Sequence, residues 1–154
     1  MIFAIDPGTT RSAWVRYNPE TQVLVDLGIQ DNHGMLADLR DRWAVDDSKT
    51  TVLIEKIESY GMAVGEEVFT TVMWVGRFIE ALHPTPVVLV PRKHVKLTLC
   101  GSMRAKDPNI RQALIDRWGE GWKGTKAAPG PLYGIAGDEW SALAVAVAWA
   151  EAPI

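Results

Sequence analysis

Residues 1–15 of the chain read MIFAIDPGTTRSAWV. An apolar run over residues 2–5 ends at Asp6, a Pro-Gly-Thr-Thr turn follows, and an apolar stretch then restarts. The pattern predicts two antiparallel strands joined by a tight turn, with a carboxylate at the end of a buried first strand. Such a carboxylate is costly unless a cation neutralises it, and a divalent metal is the usual cation. A second interpretation is that Asp6 caps the turn through the amides of Thr9 and Thr10.

The length and composition predict a folded globular protein. The chain has 154 residues, of which 47% are hydrophobic, and we predict a single domain over residues 1–154. No apolar run approaches the roughly 20 residues of a membrane span, and the N-terminus lacks a signal-peptide pattern. Cys100 is the only cysteine, which excludes an intrachain disulfide. We therefore expect a soluble, intracellular protein with no membrane partner.

The charge is unevenly distributed along the chain. The net charge is −3, which argues against a generic nucleic-acid binder. Residues 91–126, however, carry nine Lys or Arg against three Asp or Glu. A cationic segment on an acidic body could hold phosphates beside a carboxylate-lined site. The alternative is an ordinary solvated surface.

Hydrophobic periodicity predicts alternating strands and helices along the rest of the chain. We expect a third strand next to the first two, and then parallel strands separated by helices. The predicted class is thus α/β, with a mixed five-stranded sheet of three antiparallel strands followed by parallel strands, flanked by helices. The expected elements are a strand at 22–29, a helix from Asp31 to about Ala44, a strand at 50–57, a helix at 66–82, a strand at 87–90, and helices at about 95–100, at 107–118 and from Asp138 onward.

Two segments and one helix face complete these expectations. A polar break is predicted at 46–48, and the glycine-, lysine- and proline-rich segment 119–136 predicts a mobile surface loop. In the helix at 66–82, the buried face is predicted by the spacing of Val68, Val72, Val75, Ile79 and Leu82.

Three carboxylates are expected at the ends of elements: Asp6, Glu55 and Asp138. If the strands that carry Asp6 and Glu55 are neighbours, the two acids meet at one edge of the sheet. A final helix packed across that edge would bring Asp138 to them. Clustered carboxylates repel one another unless a metal binds, and hard oxygen ligands select Mg²⁺ or Mn²⁺. Two such ions about 4 Å apart can stabilise the attacking water and the leaving oxygen of a phosphodiester.

Four stretches, in this order, resemble the RuvC Holliday-junction resolvases in a compact form typical of bacteriophages. They are AIDPGTTRSAW at 4–14, LIEKI at 53–57, RAKDPNIRQALIDRW at 104–118 and GDEWSALAVAVA at 137–148. The resemblance implies the ribonuclease H-like fold. It also implies a crossover junction endodeoxyribonuclease, which resolves four-way or branched DNA by paired, metal-dependent phosphodiester hydrolysis and takes part in DNA recombination and repair.

The resemblance also implies roles for individual residues. It makes Asp6, Glu55 and Asp138 ligands of Mg²⁺ or Mn²⁺. Lys106 resembles the family's basic residue beside the scissile phosphate, where it would offset charge in the transition state. Tyr60 lies where the family has a loop that inserts into the junction, and an aromatic ring there could stack on an unpaired base. Packing against the sheet is the alternative.

Two further expectations concern partners. The helix at 66–82 resembles the family's dimer helix, with Gly76 permitting close approach, and implies a homodimer; a purely intrachain role for Gly76 is the alternative. Because the segment around Lys106 is the strongly cationic one, its side chains are expected to contact DNA phosphates. These side chains are Arg92, Lys93, Lys96, Arg104 and Arg111.

One departure from the family pattern lies in the last motif. The family has a second acid three residues after the first, and this chain has Ser141 there. Either three carboxylates suffice, with waters completing the shell, or Glu58 or Glu139 contributes. The departure bears on the second metal more than on the first.

Three other functions stay open. Asp-x-Gly-Thr-Thr also resembles the phosphate loop of actin-like ATPases and sugar kinases, but those need two such domains, so we expect no nucleotide cofactor. A second is a nuclease acting on structured RNA or DNA, as the YqgF-type relatives of RuvC do. A third is a junction-binding module that has lost catalysis, which Ser141 would explain.

Overall fold

The computed structural model describes residues 1–41 and 49–154. The predicted polar break at 46–48 and the expected end of the first helix near Ala44 lie outside these residues. The strands are β1 (Ile2–Asp6), β2 (Arg11–Asn18), β3 (Val23–Asp31), β4 (Thr51–Lys56) and β5 (Val87–Pro91). The helices are α1 (Asn32–Arg40), α2 (Glu66–Leu82), α3 (Arg92–Cys100), α4 (Asp107–Trp118) and α5 (Glu139–Glu151).

The strands form one mixed sheet in the order β3-β2-β1-β4-β5. Strands β1, β2 and β3 pair antiparallel, whereas β4 is parallel to both β1 and β5. The predicted sheet of three antiparallel strands followed by parallel strands is confirmed. Because the parallel strands β1, β4 and β5 are neighbours, their carboxyl ends meet at one edge of the sheet.

Strand β1 is central, and its side chains alternate between two cores. Phe3 and Ile5 pack on the face covered by α1 and α2. Ile2 and Ala4 pack on the opposite face, against α5. The alternation carries Asp6, the next residue of that second set, to the face of the sheet on which α5 lies.

Helix α5 is the centre of the second core. All residues from Ala142 to Ala148 are buried, since the helix packs against the sheet and against α3 and α4. A helix that is apolar all round is expected to be enclosed in this way. The first turn of α5, where Asp138 lies, is thereby fixed at the edge formed by the parallel strands.

Helix α2 buries a face that matches the predicted one at Val75 and Leu82 but not at Val72. Its buried residues include Trp74, Val75 and Phe78, whereas Val72 is 47% exposed. The larger rings bury more apolar area than Val72 does, so they decide which face turns to the sheet. The predicted face of this helix is therefore wrong at Val72.

The segment 119–136 is compact instead of being the mobile loop expected. Leu132 and Ile135 are buried, and the Leu132 amide donates to the Trp122 carbonyl over 2.8 Å. A Cβ at Gly130 would lie 2.2 Å from the carbonyl oxygen of Gly121, so only glycine allows this close backbone approach. The segment forms a packed cover over the start of α5. Of the helices in the described part of the chain, none has the length and apolar composition that crossing a membrane requires.

Candidate active site

Asp6 and Glu55 are neighbours at the edge where the parallel strands end. The register pairs Ile5 with Ile54, so the next residues of the two strands lie side by side, about 5 Å apart between strands. Leu53 faces the α5 core, and Glu55, two residues later, faces the same way. The two carboxyl groups lie close enough for each to affect the pKa of the other. The predicted meeting of these two acids is what the fold produces.

The electrostatics of this pair are unfavourable without a further cation. Burial raises the pKa of Asp6 to about 8, and the charges of Glu55 and Asp138 add to the effect, while Arg92 opposes it. Burial also raises the pKa of Glu55, against the lowering effect of Arg92. One oxygen of Glu55, Oε2, is buried without a hydrogen-bond partner. The site therefore has negative charge and lone pairs that the surrounding residues do not satisfy.

Asp138 lies across from this pair. It is the N-cap of α5 and is exposed, and it lies close enough for its charge to raise the pKa of both Asp6 and Glu55. Within residues 1–41 and 49–154, no group of three or more His, Cys, Asp and Glu side chains lies close enough together to hold a metal ion, so Asp138 does not join Asp6 and Glu55 as closely as the sequence predicts. The site is thus an open arrangement of two adjoining carboxylates and a third opposite them.

The donor set suits a hard divalent cation. Carboxylate oxygens are the preferred ligands of Mg²⁺ and Mn²⁺, and Glu55 Oε2, which has the Arg92 guanidinium at 3.5 Å but no hydrogen bond, retains a lone pair. A cation at this point would also remove the repulsion that raises the pKa of Asp6. Asp6 and Glu55 would hold such an ion from the sheet, and Asp138 would hold it from α5.

The turn after Asp6 is held by a serine and an asparagine whose role the sequence did not predict. Ser12 and Asn32 are buried and joined by a 2.6 Å hydrogen bond from Ser12 Oγ to Asn32 Oδ1. The Gly8 amide donates to Ser12 Oγ, and Asn32 Nδ2 donates to the Gly8 carbonyl. These bonds fix the turn through Gly8, Ser12 and Asn32, and none of them uses the Asp6 carboxyl group. An Asn that follows an N-cap at the end of a strand was the only sequence signal.

Glu58 and Glu139, the two acids considered as substitutes for the one missing at Ser141, are engaged elsewhere. Glu58 accepts a 2.8 Å hydrogen bond from Lys56 Nζ through Oε1, while its Oε2 is buried without a hydrogen-bond partner. Glu139 is buried, and its Oε2 accepts from the Ala136 amide over 2.7 Å. Burial raises the pKa of Glu139, which the Ala136 amide counteracts. Each therefore has a local structural partner.

Arg92 and Asp107 are brought to the site by the ends of β5, α3 and α4. Arg92 is the first residue of α3, and its Nη1 lies 3.5 Å from Glu55 Oε2. Its Nη2 contacts Asp107, the first residue of α4. The negative charge of Asp107 also raises the pKa of Glu55. Sequence reasoning did not predict this bridge, and no local pattern signals it.

An open cleft of about 570 Å³ adjoins the carboxylates. Arg92, Asp107 and Asp138 all line it, and each lies at the N-terminal end of a different helix, α3, α4 and α5. Helix N-termini favour anions because their free amides and dipoles present positive charge. Ser141 lines the same cleft, so the departure from the family motif faces the site.

The other predicted site residues surround this cleft at different depths. Lys106 is the exposed N-cap of α4. Of the described residues in this turn, Asp107 lines the cleft and Lys106 does not. Arg111 lies over the Trp140 ring, 4.8 Å from its centroid. The remaining cations lie on α3 and the turn after it: Lys93 and Arg104 are exposed, and Lys96 is half-buried.

Tyr60 lies on the opposite side of the site from α4. It is 56% exposed and has a positive φ of 50°, a conformation that costs energy for a non-glycine residue. Its hydroxyl is hydrogen-bonded to Glu58 and to the backbone of Lys93. The ring is thus tethered beside the start of α3 and presented to solvent, not packed against the sheet.

Comparison of the structure with solved structures identifies two close matches in fold. They are "T. thermophilus RuvC in complex with Holliday junction substrate" and "Thermus thermophilus RuvC structure". Each match has a TM-score of 0.69 and 18% sequence identity, and covers 97% of this chain and 92% of the other. No protein-family model matches the chain, and no curated protein sequence matches it significantly. The chain therefore has the fold of the RuvC resolvases, within the ribonuclease H-like class, and the predicted resemblance is confirmed at that level.

Proposed function

We propose that this chain is a divalent-metal-dependent endonuclease that resolves four-way or branched DNA junctions in the cytoplasm. The observation that carries the proposal is the pair of partly buried acids Asp6 and Glu55, which the parallel register of β1 and β4 sets side by side at the edge of the sheet, with the charge of Asp138 close enough to act on both. Buried acids are costly unless they serve a cation. The match in fold to a RuvC structure in complex with a Holliday junction supports junction DNA as the substrate.

The residues of the chain divide the work of phosphodiester hydrolysis. The reaction joins a water oxygen to phosphorus and breaks the bond from phosphorus to one ester oxygen, which leaves with a proton. A bound Mg²⁺ or Mn²⁺ supplies Lewis-acid chemistry to this exchange. Asp6, Glu55 and Asp138 would hold the ion, and Lys106 would stabilise the added negative charge of the transition state. The N-termini of α3, α4 and α5 favour the phosphate itself.

Contacts away from the scissile phosphate would position the junction. The proposed phosphate contacts are Arg111, which lines the cleft, and the cations of α3 and the turn after it, Lys93, Lys96 and Arg104. The exposed ring of Tyr60 would stack on a base opened at the centre of the junction.

A homodimer would provide two such sites for two strands. Helix α2 presents exposed apolar side chains, Phe69 at 67% and Met73 at 53%, and a Cβ at Gly76 would meet no atom within 4 Å. Apolar groups exposed together on one helix are typical of an interface, and a C₂ dimer matches the twofold symmetry of a junction. Sedimentation of the chain alone and on junction DNA tests this. A species that stays monomeric on the junction would contradict it.

The test of the function is cleavage of four-way, flap, nicked and linear DNA, with and without Mg²⁺. We expect metal-dependent nicks at symmetric positions of the four-way junction, and little cleavage of linear duplex. Preferential cleavage of structured RNA would favour the YqgF-type alternative. Junction binding with and without metal, but no cleavage, would favour the non-catalytic module that Ser141 allows.

A further inference from the structure

Arg92 has an unusual position for a basic residue. It is the first residue of α3, where the helix dipole disfavours positive charge. Its side chain is only 19% exposed, although a guanidinium retains its charge in proteins. Both features are unfavourable, so the carboxylates around Arg92 must hold it there.

Those contacts bridge two parts of the site. One terminal nitrogen, Nη1, lies 3.5 Å from Glu55 Oε2 on the sheet. The other, Nη2, contacts Asp107 on α4. Glu55 is itself only 12% exposed in its side chain. Arg92 is thus a cation that links a sheet carboxylate to a helix carboxylate, which is the task of a bridging metal ion.

Among the described residues that line the cleft, the only acids are Asp107 and Asp138. Arg92, Asp107, Asp138 and Ser141 line it together, and a neutral serine hydroxyl is a weak ligand for a hard divalent ion. A divalent ion added beside the guanidinium would meet positive charge at close range, with Glu55 Oε2 already shared with Arg92.

We propose that the Arg92 guanidinium is a built-in cation of the site, bridging Glu55 and Asp107 in place of a second divalent ion. The inference rests on the proposed function, since it assumes that Asp6, Glu55 and Asp138 bind one ion. The chain then takes one divalent ion for each active site, held on the Asp6 side, and Arg92 is a positioning residue on the other side. For Arg92 alone, this assignment replaces the expected surface contact with DNA.

Counting bound Mn²⁺ on the DNA-free chain tests the proposal, by calorimetry or by the electron paramagnetic resonance signal of free Mn²⁺. We expect one ion per chain in the wild type and in Ser141→Asp, because restoring an acid does not remove the guanidinium. The double variant Arg92→Gln, Ser141→Asp should bind two. Arg92→Lys with Ser141→Asp should return the count to one, since it restores the charge.

A matched control uses the other arginine of the cleft. Arg111 contacts the Trp140 ring instead of a carboxylate, so Arg111→Gln with Ser141→Asp should bind one ion. Two ions in this control would show that the effect does not belong to Arg92 and would overturn the proposal.

The remaining outcomes separate the inference from the proposed function. Two ions in the wild type or in Ser141→Asp would overturn the role of Arg92 while leaving a metal-dependent nuclease intact, and this holds even if the Arg92 variants fail to fold. One ion in a folded Arg92→Gln, Ser141→Asp variant would overturn it as well. No ion at millimolar Mn²⁺ in the wild type would overturn the proposed function itself.

Discussion

Two arginines of the cationic segment hold carboxylates in contrasting ways. Arg117 on α4 meets Glu151 on α5 with its Nε at 2.5 Å and its Nη2 at 2.8 Å, one for each carboxylate oxygen. Arg92, by contrast, lies 3.5 Å from one oxygen of Glu55, and that oxygen has no hydrogen bond. One pair is closed and the other is incomplete.

The negative charge around Arg117 is neutralised, whereas the negative charge around Arg92 is not. The hydrogen bond to Glu151 raises the pKa of Arg117, as expected for a matched pair. Around Arg92, burial and the neighbouring acids raise the pKa of Asp6 to about 8, because one guanidinium does not neutralise Asp6, Glu55, Asp107 and Asp138. The matched pair joins two helices, whereas the cluster around Arg92 has enough excess negative charge to bind a further cation.

The largest effect should follow from removing a carboxylate of the cluster around Arg92. Asp6→Asn and Glu55→Gln should each reduce metal-dependent junction cleavage by about 1000-fold or more, since a ligand that fixes the ion is lost. Junction affinity and circular dichroism should change little. Single-turnover cleavage measures the loss, with the exposed Asp26→Asn as the matched control. Cleavage at a near wild-type rate in either variant would contradict the metal-ligand assignment.

The second effect is on stability without metal. With a folded pKa of about 8 for Asp6 against about 3.9 when unfolded, the folded state holds a proton that the unfolded state releases. Stability should therefore fall as pH rises from about 4 to 8. Half of this difference between the folded and unfolded pKa of Asp6, taken as a change in the free energy of unfolding, corresponds to about 3 kcal/mol. Asp6→Asn removes the ionisable group and should therefore raise Tm by about 6 °C or more at pH 8.

Thermal melts at pH 5 to 8 in EDTA test this expectation. The advantage of Asp6→Asn should shrink toward acid pH, and Asp26→Asn should show no such trend. Added Mg²⁺ should stabilise the wild type and reduce the difference. An Asp6→Asn variant less stable than the wild type at every pH would mean that the Asp6 carboxyl is structurally satisfied.

The contacts of the cluster around Arg92 were not equally predictable from sequence. A carboxylate at the end of an apolar run indicates the position of Asp6, and the parallel register then brings Glu55 beside it. The contact of Arg92 with Asp107 depends on how α3 and α4 pack, which no local pattern encodes. The exposure of Val72 on α2 was missed for a similar reason: Trp74 and Phe78 compete with it for the core, and only the packed structure decides between them.

The third effect separates charge at the scissile phosphate from charge elsewhere. If Lys106 stabilises the transition state, Lys106→Ala should lower the single-turnover rate about 30-fold while changing affinity little. Arg104→Ala, two residues earlier in the same exposed turn, should instead lower affinity and reduce the log–log salt slope of binding by about one. Equal losses of rate and affinity in Lys106→Ala would make it one more phosphate contact.

The smallest effect is expected at the matched pair. Arg117 and Glu151 are partly exposed, at 29% and 41% of their side chains, so water screens their attraction and the pair contributes about 1 kcal/mol or less. Arg117→Gln should lower Tm by about 3 °C or less, leave the count of bound Mn²⁺ unchanged, and leave the cleavage rate within about twofold. Melting curves and the cleavage assay measure both. A loss of cleavage as large as that of Glu55→Gln, in a folded Arg117→Gln variant, would show that the matched pair also serves the reaction, and the contrast between the two arginines would then have no functional meaning.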